Sequence, residues 1–121
     1  MTQSAAQASA FYIDVAKNKK VWTIRDLGGF PAPMTPEGKR SQPFWSTYNR
    51  VIRIITTVPA YTGFEPFEIS WDDFSNNWLP GLDKDGLLVG LNWSGNRAIG
   101  FDIKPIRVKE NIETLILMNS K

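Results

Sequence analysis

Residues 78–95 read WLPGLDKDGLLVGLNWSG, and the reading of this stretch decides what kind of domain the chain makes. Leu87 to Trp93 is an almost unbroken apolar run, with Gly86 before it and Gly95 after it. Such a run between turn signals reads as a strand covered on both faces, at the centre of a sheet. Ser94-Gly95-Asn96 is then a tight turn, and Arg97 to Asp102 its hairpin partner. Two pieces of the stretch imitate chemistry. Asp83-Lys84-Asp85-Gly86 resembles the middle of a calcium loop, which needs a later bidentate carboxylate; no Asp or Glu occurs in the sixteen residues after Asp85. Aspartate and glycine suit the backbone angles of a helix-to-strand turn, so the segment reads as a turn. Asn92-Trp93-Ser94 is a formal glycosylation acceptor, incidental in a chain expected to stay in the cytoplasm.

Upstream, Ser70-Trp71-Asp72-Asp73 is a capping box in acidic form, with two carboxylates at the positive end of the next helix. Trp71, Phe74 and Trp78 share a face of that helix, and Pro80 ends or kinks it. Phe67-Glu68-Ile69 is a short strand. Ser46 is the expected N-cap of a helix over 47–58, with Tyr48, Val51, Ile52, Ile55 and Val58 as its apolar stripe. Val21 to Asp26 alternates as a strand does. Leu27-Gly28-Gly29 turns it back into Phe30-Pro31-Ala32-Pro33, a proline-marked edge strand, and Met34 to Gln42 is a loop. A first helix spans 4–18, with Ala8, Phe11 and Val15 on its apolar face. Pro105 opens a last one, in which Val108, Ile112, Leu115 and Met118 face the core. The order predicts a single α+β domain over 1–121: a mostly antiparallel sheet of two hairpins and a short strand, packed with four helices.

With 121 residues, 42% hydrophobic and 21% charged, the chain reads as one globular unit with a single core. It contains neither Cys nor His. Disulfides, thiolate metal sites, Ser-His and Cys-His pairs and the commonest general base are therefore excluded. No dinucleotide or phosphate-loop motif occurs; the sequence assigns no catalytic residue, no metal and no cofactor. The N-terminus lacks a basic segment before its apolar pattern and does not read as a signal peptide. No apolar run approaches the roughly 18 residues of a membrane span. The expected location is the cytoplasm.

Residues 1–60 carry eight Lys/Arg and three Asp/Glu (+5), and residues 61–121 carry six and nine (−3). Such a split either steers a partner or is satisfied within the fold. With aromatics near predicted loops, it points to a non-enzymatic protein-interaction module of an accessory or immunity-like kind. The contact residues this reading names are Phe44, Trp45, Trp71, Trp78 and Trp93, rimmed by Glu65, Glu68, Asp72 and Asp73. The expected partner is another protein, and a homodimer pairing the basic half with the acidic segment is a further reading. A carboxylate-based hydrolase would need two of those acids facing each other across a concave site. Weak nucleic-acid binding would use Lys17, Lys19, Lys20, Arg50 and Arg53 beside Trp22 and Trp45, and a net charge of +2 disfavours it.

VWTIRDLGGFPAP, QPFWS, EPFEISWDDF…WLPGL and DGLLVGLNWSG together resemble a bacterial family known as domain of unknown function 2750, over roughly residues 10–115. The order of elements is also similar to the N-terminal domain of SseB-like proteins associated with type III secretion. The resemblance implies a compact cytoplasmic α+β domain and brings no catalytic residues with it.

Overall fold

The computed structural model describes residues 3–120. Helix α1 (Gln3–Asn18) buries Ala8, Phe11, Val15 and Ala16, the i, i+3, i+7 face expected of it. It ends where Lys19 adopts a positive φ of 58° and returns its ammonium to the Ala16 carbonyl, 2.7 Å away. Strand β1 (Lys20–Arg25) follows. Asp26 and Gly29 exchange two backbone hydrogen bonds, and the Asp26 carboxylate accepts from the Gly28 N–H at 2.8 Å, so the expected turn forms.

The expected hairpin does not. β1 pairs antiparallel with β3 (Glu65–Ser70), over the register Lys20–Ser70 to Arg25–Glu65. Residues 30–33 carry two prolines, which lack the N–H groups a ladder needs. Phe30 instead sets its ring edge-on to Phe67 and Trp78, at 5.4 and 5.0 Å between centroids.

A second difference lies at the end of the expected 34–42 loop and just beyond it. Ser41–Phe44 is a strand, β2, with all four residues buried. It runs parallel to β4 (Leu88–Ser94), which pairs antiparallel with β5 (Ile99–Ile103) on its other side. β4 is thus the middle strand of three, as its apolar run requires. The two sheets meet where Trp22 and Trp45 exchange backbone hydrogen bonds of 2.8 and 2.7 Å and the Thr23 hydroxyl donates to the Pro43 carbonyl at 2.8 Å.

Helix α2 (Tyr48–Thr57) is capped by Thr47, whose hydroxyl accepts from the Arg50 N–H, and not by Ser46. Its buried residues are Val51 and Ile54, continued by Val58 just beyond it; Ile52 and Ile55 are half-buried and Tyr48 is exposed. The stripe is therefore displaced from the expected one. Ser46 is enclosed and donates to the Asp14 carboxylate at 2.8 Å.

Ser70 caps the next helical segment, accepting from the Asp73 N–H at 3.1 Å. The segment runs through α3 (Trp71–Asp73), a π-helical turn (Phe74–Trp78) and α4 (Leu79–Lys84). Pro80 neither ends nor breaks it. In a continuous α-helix the proline ring would meet the carbonyl four residues back. Here the turn before it is widened, with the Leu79 N–H reaching the Phe74 carbonyl five residues back. The helix closes at DKDG: Gly86 takes a φ of 73° and the Leu87 N–H bonds to the Leu82 carbonyl at 2.9 Å.

The β4–β5 hairpin is irregular between Leu91 and Ser94, where Asn92 holds a φ of 49°. Helix α5 (Pro105–Asn119) buries Val108 and Ile112, half-buries Leu115 and leaves Met118 exposed. One apolar cluster joins α1, α4 and α5 to one side of the strands; the other gathers Ile24, Trp45, Val51, Ile54 and Trp93. No helix among the described residues is long and apolar enough to cross a membrane.

Candidate functional site

The π turn, α4 and β2 meet around a cleft of about 350 Å³ lined by Gln42, Asn77, Trp78, Gly81, Leu82, Asp85 and Leu87. Trp78 is half-buried. Its ring packs against Phe30, Phe44 and Phe67 at centroid distances of 5.0, 6.0 and 6.1 Å. Asp73 fixes this wall: its carboxylate accepts from the Asn77 amide at 2.7 Å and the Trp78 indole N–H at 3.3 Å. Leu82 and Leu87 supply apolar surface, and Gly81 leaves the cleft open, because a Cβ there would meet nothing within 4 Å.

Gln42 is the unusual member. It is only 5% exposed, and its Nε2 is buried without a hydrogen-bond partner among the described residues. An unpaired buried amide costs about 1–3 kcal/mol, and few are kept without a reason. The cleft contributes one carboxylate, two amides and no nucleophile. These groups can make hydrogen bonds to a polar group and apolar contact with the rest of a ligand.

A second cleft, of about 290 Å³, lies between the 33–37 loop and the β4–β5 hairpin, with Tyr61, Trp93, Arg97 and Asp102 among its walls. Gly90 and Gly100 leave the room that the Trp93 indole fills; a Cβ on Gly90 would stand 2.4 Å from the ring. Asp102 Oδ1 accepts from the Ser41 hydroxyl at 2.6 Å and the Trp93 indole N–H at 3.1 Å. Burial raises the Asp102 carboxyl above the ordinary carboxylate range, against the lowering by those two hydrogen bonds, and Glu37 adds to the rise. Burial likewise raises the Tyr61 phenol.

The residues named from the sequence fall in different places. Phe44 and Trp45 have no exposed surface, Trp93 is 5% exposed and Trp71 9%. These four are core residues, and the reason is their place on or beside central strands and on the inner face of a helix. Phe44 and Trp71 belong to one apolar cluster, Trp45 and Trp93 to the other, where the Trp45 indole N–H donates to the Trp93 carbonyl at 2.8 Å. Trp78 retains an open face.

Of the acids, Glu65 pairs with Arg25 at 2.8 Å and Glu68 with Lys20 at 3.2 Å. Part of the charge split is thus satisfied between β1 and β3 inside one chain. Asp73 serves the Trp78 wall, and Asp72 is exposed. The glycosylation-like Asn92 is 1% exposed with both ends of its amide engaged, accepting from Ser46 N–H and donating to Ser46 Oγ and the Gln7 carbonyl.

Gln42, Asn77, Gly81 and Leu87 were not singled out by the sequence. The signal that points to them is the pair of distinctive runs, QPFWS and WLPGL…DGLL. They lie some 35 residues apart in the chain and face each other across this cleft. No curated protein matches the chain. One family model does, over residues 8–112, from within α1 to within α5 and across both clefts. The chain therefore belongs to the family described as "Protein of unknown function (DUF2750)".

Proposed function

We propose that this chain is a non-enzymatic protein-interaction module whose Trp78 cleft receives a carbonyl-bearing segment of a partner polypeptide. The unpaired Gln42 amide carries this reading. A backbone carbonyl brought to it replaces an unmade hydrogen bond, while Trp78, Leu82 and Leu87 offer the apolar contact of a binding anchor. Asp85 and Asn77 are polar groups of the kind that orient a peptide at such a site. Of the five aromatics expected as contacts, the proposal keeps Trp78. Residence in the cytoplasm, expected from the sequence, belongs to the same proposal.

The test uses two variants chosen to leave the fold intact. Gln42→Leu removes the unpaired amide at similar volume and is expected to unfold at a higher temperature than the wild type. Gly81→Leu fills the cleft from a helical position with room for a side chain. Tagged wild type and both variants are incubated with lysate of the native host, and captured proteins are identified by mass spectrometry. A stoichiometric protein held by the wild type and lost with both folded variants is the expected result. A partner held equally by all three, or none held by the wild type, overturns the proposal.

A further inference from the structure

A third cleft, of about 300 Å³, opens where α2 faces the β4–β5 turn, and Gln7, Arg50, Arg53, Trp93, Ser94 and Asn96 line it. Its electrostatics run against what the helix alone would choose. Arg50 sits in the first turn of α2, at the positive end of the helix, where a cation is unfavourable and no acidic residue balances it. Arg53 lies three residues on, so the two guanidinium groups share one face and repel each other. Neither is in a salt bridge among the described residues, and no Asp or Glu lines the cleft.

The geometry is nevertheless held in place. Arg50 donates to the Gln7 side-chain carbonyl. Gln7 is in turn anchored by the buried Asn92, whose amide donates to the Gln7 backbone carbonyl at 3.1 Å. The Ser94 and Asn96 side chains make no hydrogen bond with the described residues and stand at the same opening. Trp45, Ile54 and Trp93, all three buried, close its floor. Two cations placed together without a counter-ion among the described residues, supported from behind and flanked by free polar groups, are an arrangement whose missing partner is an anion.

We propose that this cleft binds a phosphate-bearing small molecule, with Arg50 and Arg53 clamping the phosphoryl oxygens and the attached organic group lying towards the Ser94–Asn96 turn. Guanidinium groups present paired donors that match phosphate oxygens, and an anion between them offsets both their repulsion and the helix-end penalty. The site is separate from the Trp78 cleft and stands or falls independently of it.

The probes are inorganic phosphate and phenyl phosphate, with phenol as the uncharged control, titrated into the full chain. Binding is followed by ¹H–¹⁵N NMR at the arginine Nε–H groups and the Ser94–Asn96 amides, and affinity by calorimetry. Saturable shifts confined to these groups are expected with both phosphates and not with phenol. Affinity should fall as sodium chloride is raised. Arg53→Gln changes an exposed side chain, leaves the fold intact, and should weaken binding by about tenfold or more, as loss of a charge-assisted contact does. Tighter binding of phenyl phosphate shows that the cleft also holds the organic group; equal affinity keeps the phosphoryl clamp and assigns the cleft to free phosphate. Absence of saturable shifts, or equal affinity in Arg53→Gln, overturns the proposal.

Discussion

Replacing Asn92 with alanine tests the joint on which the β4–β5 hairpin, α1 and the start of α2 depend. Asn92 is 1% exposed and holds a φ of 49°, a left-handed conformation that asparagine tolerates better than most residues. Its Oδ1 accepts from the Ser46 N–H at 2.9 Å, and its Nδ2 donates to Ser46 Oγ at 3.0 Å and to the Gln7 carbonyl at 3.1 Å. Three net hydrogen bonds at about 1 kcal/mol each, plus about 1 kcal/mol for alanine in the left-handed region, give a loss of about 4 kcal/mol. A domain of this length loses about 4 °C of Tm per kcal/mol, so melting should fall by about 15 °C.

The assay is urea unfolding followed by far-ultraviolet circular dichroism, with thermal melts alongside. Asn92→Gly loses the same hydrogen bonds without the strain and should retain about 1 kcal/mol more than Asn92→Ala. Asn92→Asp replaces only Nδ2, setting an oxygen against the Gln7 carbonyl. Protonation is then favoured in the fold, so the folded pKa lies above the unfolded value of about 3.9. Its stability should be highest below that value and decline as pH rises through the raised one. An Asn92→Ala variant within about 1 kcal/mol of the wild type would refute the reasoning, as it would mean the buried network contributes no more than one surface hydrogen bond.

Gly90→Ala should cost about 2–3 kcal/mol and change the near-ultraviolet dichroism, since its Cβ would lie 2.4 Å from the Trp93 ring; an unchanged spectrum and melt would place the indole elsewhere. Asp102→Asn keeps an oxygen able to accept from Ser41 and Trp93 while removing a charge that burial disfavours. Because the folded pKa is raised, the cost of that charge is absent below about pH 3.9 and grows as pH climbs through the raised value. The variant should therefore gain on the wild type towards neutral pH, and a gap constant with pH would contradict this. The Arg25–Glu65 pair, with both side chains about half exposed, should show a coupling below about 1 kcal/mol in a double-mutant cycle, shrinking with salt. A coupling of several kcal/mol would show that the pair is far better shielded from water than its exposure suggests.

The sequence by itself determined the elements whose pattern is local. Helix α1 and helix α5 follow from apolar spacing and from Pro105, the Ser70 cap from its side chain, the DKDG turn from Gly86, and the central place of β4 from an apolar run that one covered face would not need. Tertiary structure decided who pairs with whom. A strand pattern says that β1 has one buried side; it does not say that its partner is β3, forty residues on, and not the proline segment after the turn. β2 gave no alternation to read, because all four residues are buried and one is proline. The same limit applied to the site. Trp45 and Trp93 look alike whether displayed or enclosed, and only the converging strands enclosed them. The Gln42 amide and the two arginines, without partners of opposite kind among the described residues, depend on groups far apart in the chain. A residue's type fixes what it can bond to; whether a partner stands within reach is settled only when distant segments come together.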